Sequence, residues 1–180
     1  MPDTASPPVG RPLYTAEERA RRDRSVWTVV QGVLAPLQLL AFLISVWLVL
    51  SFLQTGNGEN AATISIVIKT LFLYAIMVTG AIWEKEVFGV WLFAPSFFWE
   101  DVVSMAVIAL HTAYLYAMLT GTLPVREQML LALIAYGTYV VNALQFFYKL
   151  YLARKGGALA PSEQTVLNNH AAQPAQMVDA

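Results

Sequence analysis

Four carboxylates, Glu84, Glu86, Glu100 and Asp101, fall within residues 82–101 (IWEKEVFGVWLFAPSFFWED). Trp83, Trp91, Trp99 and four phenylalanines stand among them, and Lys85 is the only base. Carboxylates set among aromatic rings are candidates for proton transfer. His111 follows inside an apolar run, where an ionisable side chain is a functional hypothesis by default: it is either a satisfied core residue or a ligand or proton-transfer group. Lys69 is a second such residue. Other chemistries are excluded. The chain has no cysteine, hence no thiolate chemistry and no disulfide. It has no HExxH or paired-histidine spacing, so a zinc or diiron site of its own is not expected, and no Gly-rich phosphate loop.

The elements that must position these groups are membrane spans. The 180 residues are 57% apolar and 13% charged, with a mean hydropathy of +0.54. A soluble domain carries about a quarter charged residues. A net charge of −1 argues against nucleic-acid binding. Apolar runs predict four transmembrane helices over about 27–52, 61–83, 102–119 and 128–151. The fold class is therefore all-α, a polytopic membrane protein with the acidic and aromatic segment between helices 2 and 3. Residues 13–24 predict a short amphipathic helix, with Thr15 as N-cap and Glu18 completing a capping box. Its arginines suit lipid headgroups. Residues 1–12 and 156–180 read as disordered tails around a membrane domain at 13–155.

Charge predicts the orientation. The N-terminal arm holds five arginines, and Lys149, Arg154 and Lys155 follow the fourth span. The positive-inside rule then puts both termini and residues 82–101 in the cytoplasm. Ala94-Pro95-Ser96 should break any helix, so that segment is expected to be re-entrant or to lie along the surface.

Polar residues line the predicted spans. Gln31, Gln38 and Ser45 recur every seven residues and share one face of the first. Glu100, Ser104 and His111 share one face of the third, and Thr138, Asn142, Gln145 and Lys149 form a stripe on the fourth. Counted from the acidic segment, these faces meet in the cytoplasmic half as a pocket open at the Glu84/Glu100 end. Lys69 counts toward the opposite half and fits the pocket less well. The plain alternative for the amides is interhelical hydrogen bonding, and for the aromatics an interfacial belt.

The blocks WTVVQGVLAPLQ (27–38), WEKEVFG (83–89), LFAPSFFWED (92–101), ALHTAYL (109–115) and AYGTYVVNALQF (135–146) occur in order across the spans. Over about residues 13–152 the chain resembles the 3-vinyl bacteriochlorophyllide hydratase family of bacteriochlorophyll biosynthesis. The resemblance implies a carbon–oxygen lyase that adds water to the C3-vinyl group of chlorophyllide a or 3-vinyl bacteriochlorophyllide a, giving a 1-hydroxyethyl group. It implies an integral protein of the bacterial cytoplasmic or intracytoplasmic photosynthetic membrane, with its active site toward the cytoplasm.

That chemistry needs a general acid, a base for the incoming water and an apolar slot for a flat ring. It needs no cofactor beyond the magnesium the substrate carries. A carboxylic acid beside aromatic rings is a good proton donor, and a nearby carboxylate stabilises a cation. Glu100 or Asp101 is the expected acid, with Glu84 or Glu86 as partner. His111 is expected to ligate the substrate magnesium axially or to relay a proton. Trp83, Trp91, Phe93, Phe97, Phe98 and Trp99 would stack on the macrocycle. Gln31 and Gln38 would line the substrate site, Asn142 and Gln145 would meet ring carbonyls, and Lys149 the propionate. Lipid and other pigment-synthesis enzymes are the further partners this implies. The rival classes are a non-catalytic tetrapyrrole carrier or assembly factor, and a small transporter. A carrier would not need the carboxylates; a transporter would depend on Lys69.

Overall fold

The structure, a computed structural model, describes residues 13–159. The expectations for 1–12 and for residues beyond 159 lie outside the described residues. Five helices follow one another: α1 (Ala16–Arg24), α2 (Val26–Thr55), α3 (Glu59–Phe88), α4 (Phe98–Thr120) and α5 (Val125–Leu159). Residues 156–159, read from the sequence as tail, are the end of α5. Helices α2, α3 and α4, and Val125–Lys149 of α5, are each long and apolar enough to cross a membrane. At about 1.5 Å per residue, even the shortest exceeds the ~30 Å of a hydrocarbon core. The described residues form two compact units, 13–146 and the remainder of α5 from Phe147. The candidate site lies within the first.

Both helices that flank the acidic segment are longer than the sequence predicts. Helix α3 continues through Trp83 to Phe88, and α4 starts at Phe98. The four carboxylates therefore ride on helix ends, and only residues 89–97 are link. Gly89 ends α3: at φ 82° it takes the left-handed conformation that glycine adopts without a Cβ clash, and its N–H returns to the Lys85 carbonyl at 3.1 Å.

The core of the first unit includes Phe42, Val49, Ile66, Leu73, Val107 and Tyr136. Large apolar side chains such as Leu43, Trp47, Leu71 and Ile134 point outward. Hydrocarbon, not water, suits that outer surface. Cross-helix contacts set the register. Ser45 meets Ser65, Gln31 meets Thr79 and Thr28 meets Trp83, so α2 and α3 run antiparallel. On α5, Tyr136 meets Ser45 and Tyr139 meets Phe42, so α5 is antiparallel to α2 as well.

Helix α1 has the predicted capping box: Glu18 N–H donates to Thr15 Oγ1 and Thr15 N–H to the Glu18 carboxylate. It is tied across the end of α3. Arg21 Nε donates to the Val87 carbonyl at 2.8 Å, Ser25 Oγ donates to Glu86 at 2.8 Å, and Tyr14 stacks on Phe88 at 5.8 Å.

Candidate active site

Three of the four carboxylates are gathered inside. Glu84, Glu100 and Asp101 are all buried, at 5%, 6% and 4% exposure. Two of them hold the link. Asp101 Oδ2 accepts from Phe93 N–H at 2.7 Å, and Glu84 Oε2 accepts from Ala94 N–H at 3.2 Å. Phe93 has φ 60°, the only positive value among described non-glycine residues. That conformation costs about 1–3 kcal/mol and persists only where its surroundings impose it. Carboxyl acceptors on two successive amides are such surroundings. Glu86, by contrast, is exposed and holds Ser25.

The aromatic residues divide in the same way. Trp83 and Phe97 belong to an inner cluster with Phe88 and Tyr14, with ring centroids 5.7–6.3 Å apart. The Trp83 indole donates to Thr28 Oγ1. Trp91, Phe93, Phe98 and Trp99 lie on the outer surface.

Above the carboxylates a polar column runs up the bundle. Glu100, Ser104 and His111 share the inward face of α4, all buried, as their spacing predicts. Asn142 Nδ2 donates to Ser104 Oγ at 2.9 Å, which joins α5 to that face. Gln38 is buried on α2, with its Oε1 unpaired, and so is Asn142 Oδ1. Gln145 Oε1 is likewise enclosed and unpaired. Gln31 is committed to α3, its Nε2 donating to Thr79 Oγ1 and to the Ile76 carbonyl. Thr138 turns back on its own helix, donating to the Ile134 carbonyl. Lys149 belongs to the second unit.

Lys69 joins this column, whereas the depth count set it apart. Its Nζ lies 2.6 Å from His111 Nε2, and both side chains are fully buried. Lys69 Nζ also sits over the rings of Tyr139 and Tyr136, at 4.3 and 5.3 Å. His111 Nδ1 faces the Val107 carbonyl at 2.8 Å. Tyr136 OH meets Ser45 Oγ, which meets Ser65 Oγ. The sequence carried a usable signal: Lys69 lies ten residues after the start of α3 and His111 nine before the end of α4, which sets them level in antiparallel neighbours. Among the described residues no group of three acidic or histidine side chains gathers to hold a metal ion.

Four apolar helices enclosing a polar column, with buried carboxylates at one end, define a helical membrane-type protein equipped for proton transfer in an apolar setting. The family model of 2-vinyl bacteriochlorophyllide hydratase matches residues 14–152, and the chain belongs to that family. A 2-vinyl bacteriochlorophyllide hydratase of Rhodobacter capsulatus is 64% identical over 154 residues, covering 86% of this chain and 90% of the relative. One of Cereibacter sphaeroides is 66% identical over 144 residues, covering 80% and 89%. No solved structure matches the chain.

Proposed function

We infer that this chain is a hydro-lyase of bacteriochlorophyll biosynthesis, adding water to the vinyl group of a bacteriochlorophyllide precursor. The vinyl called 2- in the older tetrapyrrole numbering is the C3-vinyl of the current one. Identity of 64–66% with two curated hydratases over most of the chain carries this reading. Chlorophyllide a and 3-vinyl bacteriochlorophyllide a are the substrates we assign.

The chemistry proceeds in two steps. Glu100 gives a proton to the terminal vinyl carbon, and the π electrons of the double bond form the new C–H bond. The inner carbon becomes cationic, and the conjugated macrocycle spreads that charge. A water oxygen then bonds to the inner carbon, and its surplus proton returns to the carboxylate. Vinyl plus water gives 1-hydroxyethyl, with no net change in oxidation level and no redox partner. Glu100 is chosen because it is buried directly below Ser104 on the inward face of α4. Glu84 and Asp101, whose oxygens hold the link, are buried at the same end of the bundle and are the groups we assign to stabilise the developing cation. We assign the macrocycle to the aromatic end of the bundle, against Trp91, Phe98 and Trp99. His111 serves better as a fixed element of the column than as an axial magnesium ligand, since both its ring nitrogens already face partners.

The basic N-terminal arm and C-terminal flank support a cytoplasmic placing of both termini and of the carboxylate end, in the cytoplasmic or intracytoplasmic membrane. The test is an assay of the purified protein in detergent with chlorophyllide a. A mass gain of one water, with a blue-shifted long-wavelength band and no added cofactor, is expected. Pigment binding without any mass change, on the chlorin and the bacteriochlorin alike, would overturn the hydratase reading in favour of a carrier.

A further inference from the structure

Of the enclosed acceptor oxygens left without a donor, two belong to buried side chains in one layer: Gln38 Oε1 on α2 and Asn142 Oδ1 on α5. Both side chains are more than nine-tenths buried, at 3% and 7% exposure. The register puts them in one layer. Ser45 meets Tyr136 and Phe42 meets Tyr139, so one further turn toward the carboxylates brings Gln38 level with Asn142. Ser104, bonded to Asn142 at 2.9 Å, completes the layer from α4. Glu100 lies four residues before Ser104 on the same face, about one 5.4 Å turn below.

A buried acceptor without a donor costs about 1–3 kcal/mol, so two in one layer mark a place for a hydrogen-bond donor. The ring carbonyls of a chlorin are acceptors and do not match these atoms. One of the two Asn142 amide N–H groups is already spent on Ser104. A water molecule does match. It donates one hydrogen to each oxygen, and its lone pairs stay free to attack carbon.

We propose that Gln38, Asn142 and Ser104 form the binding site of the co-substrate water, held one turn above Glu100 and aimed at one face of the vinyl group. This inference rests on the hydratase reading and names the second substrate's site within it. Held by both hydrogens, the water is turned oxygen-first toward the cationic carbon; once the C–O bond has formed, its surplus proton passes to the Ser104 hydroxyl, which gives its own hydrogen to the Glu100 carboxylate one turn below. A water so fixed attacks from one side, so the alcohol forms with one handedness.

The test compares wild type with Gln38→Met and Asn142→Leu, near-isosteric changes that remove an acceptor. If Gln38 were only structural, removing its unpaired acceptor would leave the bundle no less stable and the product unchanged; Asn142→Leu also removes the bond to Ser104, so Gln38→Met is the deciding variant. We expect retained binding of chlorophyllide a by absorption titration, hydration slowed about tenfold or more, and a mixture of alcohol epimers on chiral separation. Asn142→Ser, smaller and still polar, gives the same reading should Asn142→Leu not fold. Unchanged rate and epimer ratio in pigment-binding Gln38→Met overturns the proposal, and so does an epimer mixture from wild type. Wild type that binds pigment but adds no water sinks the hydratase reading instead, a result distinct from either.

Discussion

Lys69 Nζ and His111 Nε2 lie 2.6 Å apart in the centre of the bundle, with no salt bridge to Lys69 among the described residues. The two nitrogens share one hydrogen. The Val107 carbonyl accepts from Nδ1, so Nε2 is the lone-pair nitrogen and Lys69 the donor. The faces of Tyr139 and Tyr136 provide the rest of the surroundings of Lys69 Nζ. The pair thus fixes the imidazole tautomer and ties α3 to α4.

Lys69→Met strands His111 Nε2 in an apolar layer. We expect a loss of about 1–3 kcal/mol, read as a lower unfolding midpoint in detergent. Adding His111→Leu should recover part of that loss, because both polar partners are then gone. Hydration by the folded Lys69→Met protein should fall less than with Glu100→Gln. Abolished activity in a fully folded Lys69→Met protein would instead put Lys69 in the reaction.

Glu100→Gln keeps the shape of the side chain and removes its proton chemistry. Removing a general acid typically costs about 10²–10⁴-fold in rate. The turnover number should drop by that order while chlorophyllide a still binds, measured by single-turnover mass change beside an absorption titration. Glu86→Gln, exposed and bonded to Ser25, should change turnover little. Equal losses in both variants would contradict the choice of Glu100.

These assignments separate what a string of residues shows from what it hides. The faces 31–38–45 and 100–104–111 were legible, since helical periodicity is local and each set does point inward. The capping box at Thr15 was legible for the same reason. The Lys69–His111 contact is missed when depth is counted from the acidic segment and not from the far ends of α3 and α4, where the two residues are level. With α4 starting at Phe98, His111 lies thirteen residues from its start, deeper than a count from Asp101 gives. The different environments of Glu84 and Glu86 could not be read either. Two residues apart on a helix, they point about 200° apart, one inward and one to the surface.

The link between α3 and α4 should respond to its backbone, not its apolarity. Phe93→Gly removes the side chain from a left-handed position and should leave stability unchanged or higher. Phe93→Val should cost about 1–2 kcal/mol, because a β-branched residue tolerates that conformation poorly. Asp101→Leu should cost about 1–3 kcal/mol by stranding the Phe93 N–H, and Asp101→Asn less, since an acceptor remains. Thermal unfolding of the four variants in one detergent checks the order. Equal midpoints for Asp101→Leu and wild type would mean the link does not depend on that carboxylate.

The N-terminal arm is fastened by few contacts, and they sit at the carboxylate end. Tyr14 stacks on Phe88, Arg22 lies over the Tyr14 ring at 4.8 Å, and Ser96 Oγ donates to the Leu13 carbonyl. Tyr14→Ala removes the aromatic anchor while leaving the capping box at Thr15 and the Arg21–Val87 bond in place. Trypsin cleavage after Arg19, Arg21, Arg22 or Arg24 requires the helix to lift and unwind, so its rate reads how firmly the arm is held. We expect Tyr14→Ala to speed that cleavage severalfold, consistent with loss of an aromatic contact of about 0.5–1.5 kcal/mol. Chlorophyllide a stacked against Trp91, Phe98 and Trp99 on the outer surface should not slow it. Protection of the arm by pigment would place the macrocycle beneath α1 instead, between Tyr14 and the buried carboxylates.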